Sequence, residues 1–292
     1  MAALQNINPE TPEFWERLSK TRCDDSINKK CLKPETWDKA AATYDDLEKC
    51  KDYQSQVTEI INILQQKTAL DKENVVADVA CGTGTYAVRM APFCKKVTCI
   101  DISRGMLAKL EEKCRRFSLS NIEIVNEDWQ GFVPEEDFDL VFCSMTPLLR
   151  DSANIRKIVA SSKRFIGIVT WAGVRRNRLL AELSRKILGK EMDQKGQDIT
   201  ITFNYLYSLG LAPSLTFFTG CWEKIRPAEK QAENLIWRLE MKRPLTEAEK
   251  KEVRTKVASL ADEKGLVKVV STVRTCFMLV DKRQSKDAIN CP

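Results

Sequence analysis

The sequence predicts an α/β fold: a doubly wound, mostly parallel seven-stranded sheet with an antiparallel last strand and helical cap insertions. Two observations support this prediction. Apolar strand patterns alternate with helical patterns in the first part of the chain, which is typical of a parallel sheet with helices on both faces. The alternation then stops, and the chain closes with a long apolar strand at residues 267–281.

The alternating strands are short and apolar. We expect them at residues 75–80, 97–101, 121–125, 138–143 and 164–171. The intervening helices are expected at about residues 84–92, 103–116 and 151–162. Gly173 is expected to end the fifth strand and begin an insertion, and a further strand is expected within residues 214–225.

A glycine turn follows the first strand. The apolar segment 75–80 runs into the turn CGTG (81–84), a helix, and a second strand that ends at Asp101. This arrangement is typical of sites for adenosine-containing ligands, because the glycines let the backbone approach the ligand and the terminal carboxylate accepts both ribose hydroxyls. The pattern Gly82-x-Gly84-x-x-Ala also fits a dinucleotide site, so a dehydrogenase is one alternative.

Three further features favour S-adenosylmethionine (SAM) over a dinucleotide. Asp78 lies inside the first strand, where a buried carboxylate needs a donor, and the ammonium group of SAM offers one. The third strand ends in Asp128-Trp129, where the carboxylate can accept from the adenine amino group and the indole can cover one ring face. Finally, the chain does not resume its strand–helix alternation after the fifth strand.

Four motifs resemble those of the class I SAM-dependent methyltransferases, in the branch that acts on small molecules. They lie at residues 78–84, 99–107, 127–129 and 138–144. Their order and spacing are similar to the family's over about residues 35–171, whereas the rest of the chain resembles it only in pattern. One departure is Ala80, because the family usually has glycine at this place.

The resemblance implies SAM as the cofactor and a set of cofactor-binding residues. They are Trp37, Tyr44, Asp78, Ala80, Gly82, Gly84, Asp101, Ile102, Met106, Asp128, Trp129 and Ser144. Within this set Asp101 is expected to hold the ribose, Asp78 the amino-acid end of the cofactor, and Asp128 the adenine. Tyr44 is expected to close over the cofactor. No catalytic residue and no metal ligand is assigned.

The resemblance also implies a domain organisation. Residues 1–50 are expected to form an N-terminal helical lid, and residues 51–286 the methyltransferase domain. Cap insertions are expected at about residues 174–200 and 227–262, where they would cover the acceptor pocket. Segment 174–190 carries six basic side chains on an amphipathic helix, so peripheral membrane contact is an alternative, although a cap helix is favoured.

The composition restricts the chemistry. The 292 residues carry a net charge of +6, which is too small to indicate nucleic acid. Ser144-Met-Thr-Pro147 also lacks the motif with which amino-directed nucleic-acid methyltransferases hold a flipped base. The chain contains no histidine, so any proton acceptor is a carboxylate, tyrosine, cysteine or water. Cysteines within apolar strands and the lack of signal-peptide or membrane-spanning patterns favour a reducing cytoplasm.

The sequence leaves the methyl acceptor open. A small molecule that offers nitrogen, sulfur, acidic oxygen or carbon is favoured, and a catalytically silent SAM-binding sensor or scaffold is the alternative from another class. A metalloid methyltransferase of the arsenite type is a third alternative, with Cys23, Cys31 and a further soft ligand such as Cys221. Six aromatic side chains are candidates to line the acceptor pocket: Trp171, Tyr205, Tyr207, Phe217, Phe218 and Trp222.

Overall fold

The strands of the described residues form one sheet with the predicted topology. The computed structural model describes residues 7–22, 33–192 and 199–284. The strands are β1 (Val75–Val79), β2 (Lys96–Asp101), β3 (Ile122–Asn126), β4 (Phe138–Ser144), β5 (Ser162–Asn177), β6 (Ser214–Pro227) and β7 (Leu266–Asp281). Their order is β3-β2-β1-β4-β5-β7-β6, and β7 is antiparallel to both neighbours while the other pairs are parallel. The predicted α/β fold is therefore confirmed.

The helices connect or cover these strands. Over the ranges given above they are α1 (Pro12–Arg22), α2 (Pro34–Tyr44), α3 (Lys51–Gln66), α4 (Ala87–Met90), α5 (Arg104–Arg116), α6 (Ser152–Ala160), α7 (Arg178–Leu188), α8 (Ile199–Ser208), α9 (Ala228–Glu240) and α10 (Glu247–Ala258). Short 3-10 helices follow α2 at Asp45–Lys49 and β4 at Pro147–Arg150. None of the helices in the described ranges combines the length and the apolar character that crossing a membrane requires.

The central strands are buried on both faces, which explains their nearly continuous apolar sequence. Val76 of β1 belongs to a hydrophobic cluster on one side of the sheet, together with Leu64 of α3. Ala77 and Val79 belong to a second cluster, together with Ile155 of α6. Because successive side chains of a strand alternate between faces, β1 joins the two hydrophobic cores.

Two local predictions are wrong. The helix expected at residues 84–92 is reduced to α4, because Gly84 has a positive φ and Pro92 lacks the N–H group that a continuing helix needs. The fifth strand does not end at Gly173. That residue has a φ of +83° and lies at a bulge, after which β5 pairs with β7 from Val174 to Asn177. The first predicted insertion therefore begins as an extension of the sheet.

The segments predicted to form the cap share a hydrophobic cluster of their own. Helices α7, α9 and α10 contribute Leu183, Leu235 and Val253 to it, and the first part of β7 contributes Val267. The apolar face of the basic helix α7 is thus buried by the protein itself, which favours the cap interpretation of this segment over contact with a membrane.

Candidate functional site

The turn after β1 is held in a conformation that favours glycine. Ala80, Gly82 and Gly84 have φ values of +54°, +56° and +74°. A Cβ atom on Gly84 would lie 2.3 Å from Cδ1 of Leu110 on α5, so any other residue here would displace that leucine side chain. A Cβ atom on Gly82 would lie 3.7 Å from the ring of Tyr44, which covers the turn from the other side.

Asp101 ties the second strand to this turn. Its Oδ2 accepts a hydrogen bond from the Gly82 N–H and its Oδ1 accepts one from the Ser103 N–H, each at 2.9 Å. Burial raises the pKa of the Asp101 carboxyl, and the two backbone hydrogen bonds partly oppose that shift. Each carboxylate oxygen has a second lone pair, so both can still accept a ligand hydroxyl.

A cavity of about 670 Å³ lies at the carboxyl ends of β1, β2 and β4. All of the predicted site residues line it except Asp78 and Gly84: Trp37, Tyr44, Ala80, Gly82, Asp101, Ile102, Met106, Asp128, Trp129 and Ser144. Residues that the sequence analysis did not include also line it: Ile100, Glu127, Met145, Thr146, Pro147 and Leu148. A parallel sheet binds ligands at this edge, and the sequence motifs converge there.

The two residues predicted to hold adenine differ in exposure. Asp128 is exposed, and its Oδ1 accepts a hydrogen bond from the Gln130 N–H at 3.1 Å. Trp129 is only 2% exposed and stacks on Phe132, with ring centroids 6.0 Å apart. Its Nε1 has no hydrogen-bond partner among the described residues. Trp129 therefore offers the cavity only a small part of its surface.

A second cavity, of about 1180 Å³, adjoins the first. The two cavities share the residues Tyr44, Ala80, Ser144 and Met145 as lining. Met145 has a φ of +53°, a conformation that costs a non-glycine residue of the order of 1–2 kcal/mol. The chain is thus strained at the point where the two cavities meet.

Asp78 lines this second cavity. The side chain is 2% exposed, and its Oδ2 has no hydrogen-bond partner in the described part of the chain. Burial, followed by the negative charge of Asp101, raises the pKa of Asp78 to about 8. The carboxyl is therefore mostly protonated at neutral pH, and no cationic side chain of the described residues pairs with it.

The remaining wall of the second cavity comes from the extended strands and from α9. Three basic side chains, Arg175 of β5, Lys224 of β6 and Arg238 of α9, line it. The sequence analysis missed all three. Arg175 and Lys224 each lie two residues from another lining residue of the same strand, Asn177 and Trp222, and this spacing is the only signal that the sequence offered.

The predicted aromatic lining is only partly correct. Trp171 and Trp222 line the second cavity, with ring centroids 5.2 Å apart. The other four aromatic residues do not: Tyr205 is buried in the core, Phe218 packs partly buried against the core, and Tyr207 and Phe217 are each 52% exposed.

The first helices are fixed over the site by polar contacts. Asp38 of α2 accepts hydrogen bonds from the Ser103 hydroxyl at 2.6 Å and from the Gly105 N–H at 2.8 Å. Lys113 of α5 lies 2.7 Å from the Glu48 carboxylate and 2.9 Å from that of Asp45. These contacts hold α2 and the following 3-10 helix against α5, and so place Tyr44 over the glycine turn.

A family model for a methyltransferase domain matches residues 76–166. The matched segment contains the glycine turn, Asp101 and the polar end of β4, which together line the first cavity. The chain carries a class I methyltransferase domain. The four motifs predict S-adenosylmethionine as the cofactor of such a domain.

Curated relatives are similar to part of this chain. An uncharacterized protein of Haemophilus influenzae is 27% identical over 201 residues, which cover 66% of this chain and 70% of the relative. A protein of Methanocaldococcus jannaschii, named as a probable cobalt-precorrin-6B C(15)-methyltransferase (decarboxylating), is 27% identical over 135 residues, or 46% of this chain and 67% of the relative.

Solved methyltransferases are similar to this chain at lower identity. Magnesium protoporphyrin IX methyltransferase from Synechocystis with bound SAM is 17% identical, with a TM-score of 0.44 over 59% of this chain and 73% of that chain. This structural likeness is too distant to carry an argument about the acceptor.

The residues of the methyltransferase domain fit the cofactor. The Oδ2 of Asp78 is buried without a hydrogen-bond partner among the described residues, so it can accept a hydrogen bond from an ammonium group, and Asp101 has free lone pairs at the end of β2. No group of three or more metal-ligating side chains occurs within the described ranges. Cys23 and Cys31, which the metalloid alternative requires, lie outside those ranges, and Cys221 is exposed.

Proposed function

We propose that this protein transfers the methyl group of SAM to a small-molecule acceptor that binds in the second cavity. The observation that carries the proposal is the junction of the two cavities at Tyr44, Ala80, Ser144 and Met145. A cavity walled by strands on one side and by α9 on the other, with aromatic and polar side chains in its lining, suits a small molecule. The relative named as a cobalt-precorrin methyltransferase also supports an acceptor of this kind.

The predicted cofactor contacts supply the alignment. SAM provides a methyl group activated by its sulfonium: an acceptor lone pair forms the new bond to carbon, and the pair of the broken carbon–sulfur bond goes to sulfur. In the proposal Asp101 holds the ribose, Asp78 the ammonium group and Asp128 the adenine. Tyr44 covers the glycine turn and separates the cofactor from solvent. The protein's main contribution is then orientation and the exclusion of water.

The acceptor atom is proposed to be a good nucleophile near neutral pH. The chain has no histidine, so it cannot use an imidazole as the base that many alcohols require. A nitrogen, sulfur, acidic oxygen or carbon acceptor therefore suits the site better than a simple alcohol.

The direct test is transfer of radioactive label. The protein is incubated with methyl-labelled SAM and, in separate reactions, with the low-molecular-weight and the macromolecular fractions of a cell extract, and the products are separated by size and chromatography. We expect label in a small molecule and none in protein or nucleic acid. The Asp101→Ala variant should lose the transfer, whereas Asp137→Ala, a change at an exposed aspartate before β4, should keep it.

Two outcomes would contradict the proposal. Tight SAM binding without transfer to any extract would favour the sensor or scaffold. Label that appears in a macromolecule would place the acceptor outside the second cavity.

A further inference from the structure

Three basic side chains converge on the second cavity from three elements of the fold. Arg175 projects from the part of β5 beyond the bulge, and Lys224 projects from β6, which is separated from β5 by β7. Arg238 lies on α9 with Gln231 and Asn234, at spacings that place the three on one helix face. The sheet extension and α9 thus form opposite walls with cations on both.

No carboxylate of the described chain pairs with these cations. Arg175, Lys224 and Arg238 form no ion pair or hydrogen bond there, although the Arg175 guanidinium lies 4.4 Å from the Trp171 ring centroid. Neighbouring Arg226 differs, because its guanidinium donates to Asp46 Oδ2 at 2.6 Å.

The acidic groups of the cavity wall do not balance this charge. Glu48 lines the same cavity, but its Oε1 accepts hydrogen bonds from Lys113 Nζ and from the Thr85 hydroxyl, each at 2.7 Å. Asp78, with a pKa of about 8, is mostly neutral at pH 7. The cavity therefore has an excess of positive charge.

The basic groups perturb one another. Burial, then the charges of Arg226, Arg238 and Arg175, lower the pKa of Lys224 to about 7, while Asp46 opposes the shift. Burial and the charge of Arg175 lower the pKa of Arg238 to about 9. Unpaired cations in an enclosed space are costly to a fold, and a bound anion would remove that cost.

A buried amide adds a second, independent feature. Gln231 is 3% exposed and lines the cavity on the same face of α9 as Arg238. Its Oε1 has no hydrogen-bond partner in the ranges that the structure describes. A buried amide oxygen without a donor is rare in a folded protein, so this one indicates a hydroxyl or amine on the ligand.

We propose that Arg175, Lys224 and Arg238 bind a carboxylate or phosphate group of the methyl acceptor, and that Gln231 accepts a hydrogen bond from a hydroxyl or amine of the same molecule. The inference rests on the proposed function, because it assigns the acceptor to the second cavity. A carboxylate is also present at the amino-acid end of SAM. The test must therefore separate an anion of the acceptor from that of the cofactor.

Calorimetry on protein saturated with S-adenosylhomocysteine (SAH) makes this separation, because the cofactor's own carboxylate is then already bound. Citrate and pyrophosphate are titrated into the saturated protein at constant ionic strength. We expect at least one of them to bind, and Arg238→Met and Arg175→Met to weaken that binding about tenfold or more.

Two variants control for charge and for folding. Arg176→Met removes an exposed arginine adjacent to Arg175, whose side chain points to the opposite side of β5, and should leave anion binding unchanged. Arg238→Lys keeps the charge and should retain most of the binding that Arg238→Met loses. Equal melting temperatures would show that the losses do not come from unfolding.

Three results would overturn the inference. The first is that neither citrate nor pyrophosphate binds to the SAH-saturated protein. The second is that Arg176→Met weakens binding as much as Arg238→Met does. The third is that Arg175→Met and Arg238→Met leave the anion titration unchanged but weaken the binding of SAH. In that case they would not weaken the binding of 5′-methylthioadenosine, which lacks the amino-acid end of the cofactor. The cations would then serve only the cofactor.

Fractionation of the extract separates failure of this inference from failure of the proposed function. The metabolites are divided by ion exchange into anionic and non-anionic pools before incubation with labelled SAM. Label in the anionic pool supports both proposals. Label only in the non-anionic pool leaves the methyltransferase function intact and refutes the anion subsite.

Discussion

Cofactor binding should release a proton from Asp78. The pKa of this carboxyl is about 8 in the cofactor-free protein, so about nine-tenths of the molecules carry the proton at pH 7. An ammonium group beside Oδ2 would lower that pKa, because the opposite charge favours the carboxylate. Binding of SAH at pH 7 should then release up to about 0.9 proton from this site, and less as the pH rises through 8.

Calorimetry in two buffers measures the release. SAH is titrated at pH 7 in HEPES and in Tris, which contain neither carboxylate nor phosphate, and the dependence of the observed enthalpy on the buffer's ionisation enthalpy gives the number of protons. The comparison is between the wild type and Asp78→Asn, because other groups of the site contribute equally to both. Equal proton numbers in the two proteins would refute the role assigned to Asp78.

The same carboxyl links pH to stability. Its folded pKa is raised above the unfolded value, so the folded protein retains a proton that the unfolded chain loses as the pH rises above about 4. The free energy of unfolding of the wild type should fall between about pH 4 and pH 8 relative to that of Asp78→Asn. Urea denaturation across this range measures the difference.

The remaining predictions concern the glycine turn and its carboxylate. Asp101→Ala should weaken SAM binding, measured by calorimetry, about tenfold or more, which corresponds to about 1.4 kcal/mol. The control variant Asp137→Ala should not weaken it. Unchanged binding in Asp101→Ala would count against the ribose role. Ala80→Gly should raise the free energy of unfolding by about 1 kcal/mol, because the φ of +54° strains an alanine; a lower midpoint in urea would contradict this. Gly84→Ala should lower the free energy of unfolding by about 1–3 kcal/mol more than Gly265→Ala does. Both glycines have a positive φ, but a Cβ atom at Gly265 would meet nothing within 4 Å. Equal melting temperatures of the two variants would show that the leucine side chain of α5 moves aside.

The central fold could be predicted because its signals are local. An apolar strand, a glycine turn and a second strand ending in Asp101 lie within one short segment, and nearby residues decide their conformation. Gly173 shows where such reasoning fails. A glycine after an apolar strand indicates an end, but here β5 resumes pairing with β7, whose residues lie about a hundred positions later in the chain. A pattern of neighbouring residues in the sequence cannot predict this pairing, because the partner strand β7 lies far away in the chain.

The two cavities also differ in how far their lining residues could be predicted from the sequence. The first is built from motif residues, so the sequence could name most of its wall. The basic residues of the second come from segments separated in sequence, and 30% of the chain is charged. Arg175, Lys224 and Arg238 therefore resemble any solvated cations until β6 and α9 bring them together. The Gln231 amide, likewise, is informative only once its burial is known.

The position of the cofactor's sulfur tests the central claim most directly. The account predicts that a crystal structure with SAH shows the adenosine in the first cavity, with Asp101 at the ribose. The sulfur should lie at the junction near Tyr44 and Ser144, facing the second cavity. A sulfur that faces solvent, or adenosine bound elsewhere on the protein, would contradict the account.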